Sequence, residues 1–315
     1  VNAIEVENVS KSFSGHQAVR DLSFTVRPGL VHGFLGPNGA GKTTTIRMIL
    51  RIFHPDTGSI RVLGETDGRL VRDRIGYLPE ERGAYRKMKV RDLLRFFGGL
   101  KGLKGGELHR RVDEGLELVR LQDWGKKKVE ELSKGMQQKV QFVATILHDP
   151  ELLVLDEPFS GLDPVNVELL RDLVLEKKRA GKTILFSTHQ MEQVERMCDR
   201  VLLIHRGRKL LDGEVGEIRR AHGRNTVSLE YEGDGRRLAA LPHVESARDE
   251  GSRFEAQLRP EVDPSEFLAE AVGRVRVKRF ETAEASMQSI FLKLVGQESA
   301  AEPVPQPVVG GGVHG

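Results

Sequence analysis

The nine residues Gly36-Pro37-Asn38-Gly39-Ala40-Gly41-Lys42-Thr43-Thr44 constrain this chain more than any other stretch. They fit G-x-x-x-x-G-K-[ST], a loop whose backbone N–H groups wrap around nucleotide phosphates. The glycines permit tight turns and close approach to an anion, Lys42 reaches the outer phosphates, and the Thr43 hydroxyl ligates Mg²⁺. The flanks agree with this reading. Leu30-Val31-His32-Gly33-Phe34-Leu35 is a short, mostly apolar run of strand type, and Ile46, Ile49 and Leu50 recur at helical spacing. Strand, loop and helix in that order set the phosphates on a helix N-terminus. The ligand class this predicts is a nucleoside triphosphate.

Residues 1 to about 220 alternate short apolar runs with helical stretches, the pattern of an α/β domain. Leu152–Leu155, Thr183–Ser187 and Arg200–Ile204 read as strands, whereas residues 90–147 read as a helical insertion between two parts of the α/β core. The character changes near His222-Gly223-Arg224. Val227, Leu229 and Tyr231 alternate with polar residues, as do Phe254, Ala256 and Leu258, which is the signal of half-buried strands. Asp263-Pro264 opens a helix with Phe267, Leu268 and Val272 on one face. Weaker signals mark a helix at Arg237–Leu241 and a strand at Val244–Ala247, followed by a strand at Val275 and Val277 and a helix at Ser286–Leu294. In order these give β-α-β-β-α-β plus a terminal helix, a small α+β domain of ferredoxin-like type over residues 224–296. Residues 297–315 are poor in large apolar anchors and read as a disordered tail.

Leu152-Leu153-Val154-Leu155-Asp156-Glu157-Pro158 is an apolar strand ending in two carboxylates. In a phosphate-loop fold this strand is expected beside the one feeding the loop, with Asp156 near the metal. Pro158 biases Glu157 toward an extended conformation, from which it projects toward the γ-phosphate and accepts a proton from an attacking water.

Three further runs complete an ordered set. Leu132-Ser133-Lys134-Gly135-Met136-Gln137-Gln138 precedes that strand, Ser160-Gly161-Leu162-Asp163 follows it, and Phe186-Ser187-Thr188-His189 closes the next strand. The set resembles the nucleotide-binding subunit of ATP-binding-cassette transporters, over about residues 1–220. The resemblance implies a P-loop cassette with a helical subdomain, binding ATP with Mg²⁺. It implies that Phe13 stacks on adenine, against the plainer alternative of a strand-edge core residue, and that Gly36 to Thr44 hold the phosphates. Thr43, Asp156 and Glu80 would serve the Mg²⁺ ion, Glu157 would be the general base, and His189 would contact the γ-phosphate and hold the water. Ser133, Lys134, Gly135 and Met136 would close over ATP bound to a second nucleotide-binding subunit, with Asp163 across the same dimer interface. Ser133 also suits the N-cap of the helix carrying Val140, Phe142, Val143, Ile146 and Leu147.

Two motifs depart from the family pattern, at three positions. Lys134 and Met136 stand where Leu-Ser-Gly-Gly-Gln has its third and fifth residues, and Glu80 in Ile75-Gly76-Tyr77-Leu78-Pro79-Glu80 stands where Gln is usual. Both departures look similar to a prokaryotic subgroup of sodium-extrusion and drug-export ATPases that carry a C-terminal extension.

Composition narrows the partners. A net charge of +3, from 49 Lys+Arg and 46 Asp+Glu, makes no global case for nucleic acid, and Lys126-Lys127-Lys128 reads as a solvated turn. The single cysteine, Cys198, excludes an internal disulfide framework and reads as a small buried residue. No apolar run approaches the roughly 20 residues of a membrane span and no leader pattern opens the chain. The expected place is the cytoplasm, peripheral on the inner face of the membrane through an integral-membrane permease that meets residues 80–98, where Arg82, Tyr85 and Met88 are candidates. The alternative is a soluble cassette ATPase working as a mechanical clamp, for instance in cofactor assembly. A regulatory nucleotide binder is disfavoured by the presence of Glu157.

Overall fold

The computed structural model describes residues 1–81, 85–222, 225–259, 261–283 and 285–301. Arg82, Gly223, Arg224 and residues 302–315, to which the sequence reading assigned a groove contact, a domain junction and a tail, lie outside the described residues. Two compact units divide the chain, Val1–Glu217 and Ile218–Gly315.

Unit 1 begins with strands β1 (Ile4–Phe13), β2 (His16–Val26) and β3 (Val31–Leu35), helix α1 (Lys42–Ile49), and strands β4 (Thr57–Val62) and β5 (Ile75–Leu78). Helices α2 (Val90–Leu100), α3 (Gly105–Leu118) and α4 (Lys134–Ile146) follow without an intervening strand, as the helical insertion predicts. Then come β6 (Leu152–Asp156), α5 (Pro164–Arg179), β7 (Thr183–Thr188), α6 (Met191–Met197), β8 (Arg200–His205) and β9 (Arg208–Glu214). Helix α7 (Val215–His222) spans the division between the units.

A six-stranded sheet ordered β5-β6-β7-β3-β8-β9 centres the unit, parallel except for the β8–β9 pair. Its inner strands are apolar almost throughout because both faces are covered. Strand alternation divides their side chains. Leu153, Leu155, Ile184 and Phe186 pack with α2 to α5, while Leu152, Val154, Leu185 and Phe34 pack with α1 and a second sheet ordered β2-β1-β4. In α2, Val90, Leu93 and Leu94 form the buried stripe expected of an amphipathic helix. Cys198 is partly buried against the first of these cores, and burial pushes its thiol up.

The sheet order corrects one expectation. The strand ending in Asp156 does not lie beside the strand that feeds the phosphate loop, since β7 runs between them. The site still assembles, because the parallel strands β3, β6 and β7 end at the same edge, with Leu35 paired to Thr188 and Asp156 to Ser187.

Unit 2 contains β10 (Thr226–Glu232), α8 (Arg236–Ala239), β11 (Val244–Asp249), β12 (Arg253–Leu258), α9 (Pro264–Val272), β13 (Arg276–Ala283) and α10 (Met287–Ala301). The sheet order β11-β12-β10-β13, antiparallel throughout, is the ferredoxin-like arrangement that the alternating pattern implied. Val227, Leu229, Phe254 and Ala256 form its core with Phe267 and Ala271. Two details differ from the sequence reading. Val272 is exposed because the buried stripe of α9 runs through Phe267 and Ala271, and residue 272 is rotated well off that stripe. Helix α10 continues to Ala301, past the start of the expected tail, because Gln297-Glu298-Ser299-Ala300-Ala301 includes good helix formers.

Two histidines make the fold of unit 1 sensitive to acid. Burial, assisted by Arg200 at His32 and Lys101 at His148, lowers both imidazoles from 6.5 to about 4. His32 Nε2 accepts the Arg27 N–H at 3.0 Å, which requires the neutral ring. The folded values lie below the unfolded ones, so this contribution is intact above about pH 6.5 and is lost as pH falls toward about 4. Denaturant midpoints should therefore drop between about pH 7 and about pH 5. His32→Gln, which keeps an acceptor at this position, should flatten that pH dependence.

Candidate functional site

The phosphate loop leaves β3 and enters α1 at Lys42. Gly39 and Gly41 take positive φ values of 80° and 103°, a backbone open to glycine at little cost. Gly36 is needed for a different reason: a Cβ there would meet the Ile204 carbonyl oxygen at 2.4 Å. Lys42 is buried, and its Nζ donates to the carbonyl oxygens of Gly36 at 2.7 Å and Pro37 at 3.2 Å.

From the other side, the turn after β6 brings Glu157 to this lysine. Lys42 Nζ lies 3.5 Å from Glu157 Oε1, and His189 Nδ1 is 3.0 Å from the same oxygen. Glu157 does not take the extended conformation that Pro158 favours. Its φ is +48°, in the left-handed region, because its N–H is held by both Ser187 Oγ (3.0 Å) and Ser187 O (3.2 Å) while its carbonyl accepts from Ser160 N. These tertiary bonds outweigh a local preference worth about 1–3 kcal/mol.

Asp156 is fully buried. Its Oδ1 accepts the Ser187 hydroxyl at 2.5 Å, whereas Oδ2, with the Thr43 hydroxyl nearby, makes no hydrogen bond of good geometry among the described residues. Burial, the dominant influence, raises its pKa despite the opposing effects of Ser187, Thr43 and Lys42. A buried carboxylate oxygen without a donor, near the Thr43 hydroxyl, fits a divalent cation that takes its remaining ligands from phosphate and water. Among the described residues, no group of three or more His, Cys, Asp or Glu is placed to hold a metal ion.

The remaining expected residues stand on other elements. Phe13 is 44% exposed at the end of β1, edge-on to Phe53 at 5.4 Å. Ser133 caps α4 by accepting from Met136 N at 3.3 Å, and Lys134 opens that helix. A Cβ on Gly135 would meet Asn166 Nδ2 at 3.0 Å, so this glycine allows close packing on α5. Asp163 caps α5 by accepting from Asn166 N at 3.0 Å. Glu80 is exposed just beyond β5, and its neighbour Glu81 is the residue paired with α1, at 3.8 Å from Arg47. Two buried residues escaped the sequence reading. Ser187 bridges both acids, and Gln138 Nε2 donates to Pro158 O at 3.1 Å. Ser187 is a polar residue after an apolar strand run, whereas Gln138 stands between Gln137 and Lys139 with nothing in its neighbourhood to mark it, and neither has a partner until the tertiary structure forms.

Comparison with known proteins follows the same lines. Residues 19–160 match the family described as ABC transporter, and residues 213–295 match the C-terminal domain of ATP-binding proteins like DrrA1-3. An uncharacterized ABC transporter ATP-binding protein of Bacillus subtilis, YhaQ, is 41% identical over 293 residues, covering 93% of this chain and 98% of that protein. The chain belongs to the ATP-binding subunits of ABC transporters. It binds ATP and hydrolyses it to drive transport, which decides against the mechanical clamp. A Nod factor export ATP-binding protein I of Sinorhizobium fredii is 36% identical over 302 residues, 94% of this chain and 87% of that one. A solved structure of an ABC transporter ATP-binding subunit superposes with a TM-score of 0.65 at 34% identity, covering 70% of this chain and 93% of the other. Among the described residues, no helix of the ATP-binding subunit is long and apolar enough to cross a membrane.

The tightest steric requirement in the phosphate loop is at Gly36. Gly36→Ala should destabilise the subunit by about 1–3 kcal/mol through overpacking, read as a lowered thermal midpoint without nucleotide.

Proposed function

We propose that this subunit hydrolyses ATP at a site in which Lys42, Thr43, Asp156, Glu157 and His189 act together, and that it powers export through a separate permease. The observation carrying the reading is the Lys42–Glu157–His189 cluster, in which a phosphate-binding lysine and a carboxylate base meet at one edge of the parallel sheet. The loop from Gly36 through Thr44 holds the triphosphate. Thr43 and the Asp156 oxygen left without a protein hydrogen bond would hold Mg²⁺, which would supply screening of the phosphate charge. Glu157 takes the proton of the attacking water, and His189, bonded to Glu157, fixes its orientation. Phe13 offers an exposed ring for the adenine, consistent with its position at a strand end.

In this reading Ser133, Lys134, Gly135 and Met136 complete the site of a second nucleotide-binding subunit, with Asp163 at the same interface. Among the described hydrogen bonds, Ser133 and Asp163 serve as helix caps, which leaves a contact to a second subunit as their part in the chemistry. Export as the direction rests on the relatives named for Nod factor export, at 36% identity. The cassette within residues 1–220 carries this chemistry, and residues 224–296 form an accessory domain.

The permease-facing surface is a groove of about 1080 Å³ between the sheet and the helical subdomain, lined by Tyr77, Tyr85, Phe97 and Leu100 among others. Tyr85 and Leu100 expose 44% and 63% of their surface there, while Met88 is half-buried against the core. Glu80 follows Pro79 of this groove and is exposed, and in this reading it is the further residue that would serve the cation. Docking there would make the subunit peripheral on the cytoplasmic face of the membrane.

Glu157→Gln should retain ATP binding but slow turnover by about 10²–10⁴-fold, measured by nucleotide titration beside phosphate release. Unchanged turnover would remove Glu157 from the role of base. Tyr85→Asp should leave folding intact and abolish co-purification with the permease. Retained association would move the docking surface elsewhere.

A further inference from the structure

Ser187 is fully buried at the end of β7, level with Asp156 of β6 in the sheet register. Its Oγ donates to Asp156 Oδ1 at 2.5 Å and accepts the Glu157 N–H at 3.0 Å. A hydroxyl has one proton, and the Glu157 amide is itself a donor, so the Ser187 proton is committed to Asp156. One side chain therefore sets two things at once. It fixes the rotation of the Asp156 carboxylate, leaving Oδ2 without a bond among the described residues, and, together with the Ser187 carbonyl at 3.2 Å, it holds the Glu157 backbone at φ +48° before a proline. That backbone conformation is strained and persists only where surrounding bonds over-determine it. Gln138 supplies the opposing clamp through Pro158 O at 3.1 Å.

We propose that Ser187 is a positioning residue for ATP hydrolysis, whose hydroxyl bridge holds Asp156 and Glu157 in mutual register without touching the nucleotide. The proposal rests on the reading that these two acids serve hydrolysis. Loss of the bridge lets Glu157 relax toward the extended conformation its proline favours, which moves the carboxylate away from Lys42 and His189. The phosphate loop itself makes none of its bonds to the Ser187 side chain, so ATP affinity depends little on it.

The test compares Ser187→Val with Ser187→Thr in the full-length chain, because the two side chains have nearly the same shape and differ in the hydroxyl. Amide hydrogen exchange over residues 155–160, measured without metal or nucleotide, reads the bridge directly. Valine should speed exchange of the Glu157 amide by about tenfold or more, and threonine should keep it near the wild-type rate. Under steady-state turnover, valine should lower kcat by about 10- to 100-fold with KM for ATP within about threefold, while threonine restores most of kcat. Equal exchange in the valine and threonine variants would overturn the proposal, as would a loss confined to KM. If the added methyl group unfolds both variants, Ser187→Ala takes their place, and an alanine variant with wild-type exchange and kcat overturns the proposal equally. Failure of the underlying reading is distinguishable, because it leaves the exchange effect in place and appears as unimpaired turnover in Glu157→Gln.

Discussion

The buried pair of Lys42 and Glu157 ties two distant parts of the chain into one site. Taking two charges out of water costs several kcal/mol per ion, and their attraction offsets this only when the remaining hydrogen-bonding capacity is also met. Here Lys42 donates to two carbonyls of its own loop, and Glu157 meets His189 as well as the lysine. The pair contributes position more than stability. It fixes the distance between a loop made to hold phosphate and a carboxylate suited to taking a proton, and the parallel sheet supplies the common edge on which both stand.

The same edge explains why so few residues are needed. Strands β3, β6 and β7 each end in a turn that carries residues of the proposed site, and their pairing sets Ser187 level with Asp156 and Thr188 level with Leu35. A local rule is broken where this matters most. Glu157 precedes a proline yet adopts a left-handed backbone, held by bonds from a neighbouring strand. Strain of this kind at a site is sustained by the structure around it. Among the described residues of the C-terminal unit, the alternating strands, the proline-led helix and the antiparallel order agree with local propensity.

The phosphate loop, the Asp156-Glu157 pair and His189 were legible because each joins a residue type to a fixed local context of strand, turn or helix start. Ser133 was legible as a helix cap for the same reason, whereas the capping of α5 by Asp163 emerged only with the structure. Ser187 and Gln138 were not, since a buried polar residue has no meaning until its partner is known. The register that brings Ser187 to Asp156 joins residues 31 positions apart. Val272 and the length of α10 were misread at element ends, where rotation about the helix and propensity decide the outcome within a residue or two.

By itself the sequence determined the class of the fold, the triphosphate-binding loop and the identities of the acids, because these depend on local periodicity and on residue types at fixed spacing. Tertiary structure alone decided that β7 separates the phosphate-loop strand from the Asp156 strand, that Glu157 leaves the extended conformation, and that Ser187 joins the two acids. The physical reason is common to all three. Strand order and hydrogen bonds between strands are long-range pairings, and their free energy exceeds the local backbone preferences that a linear sequence displays.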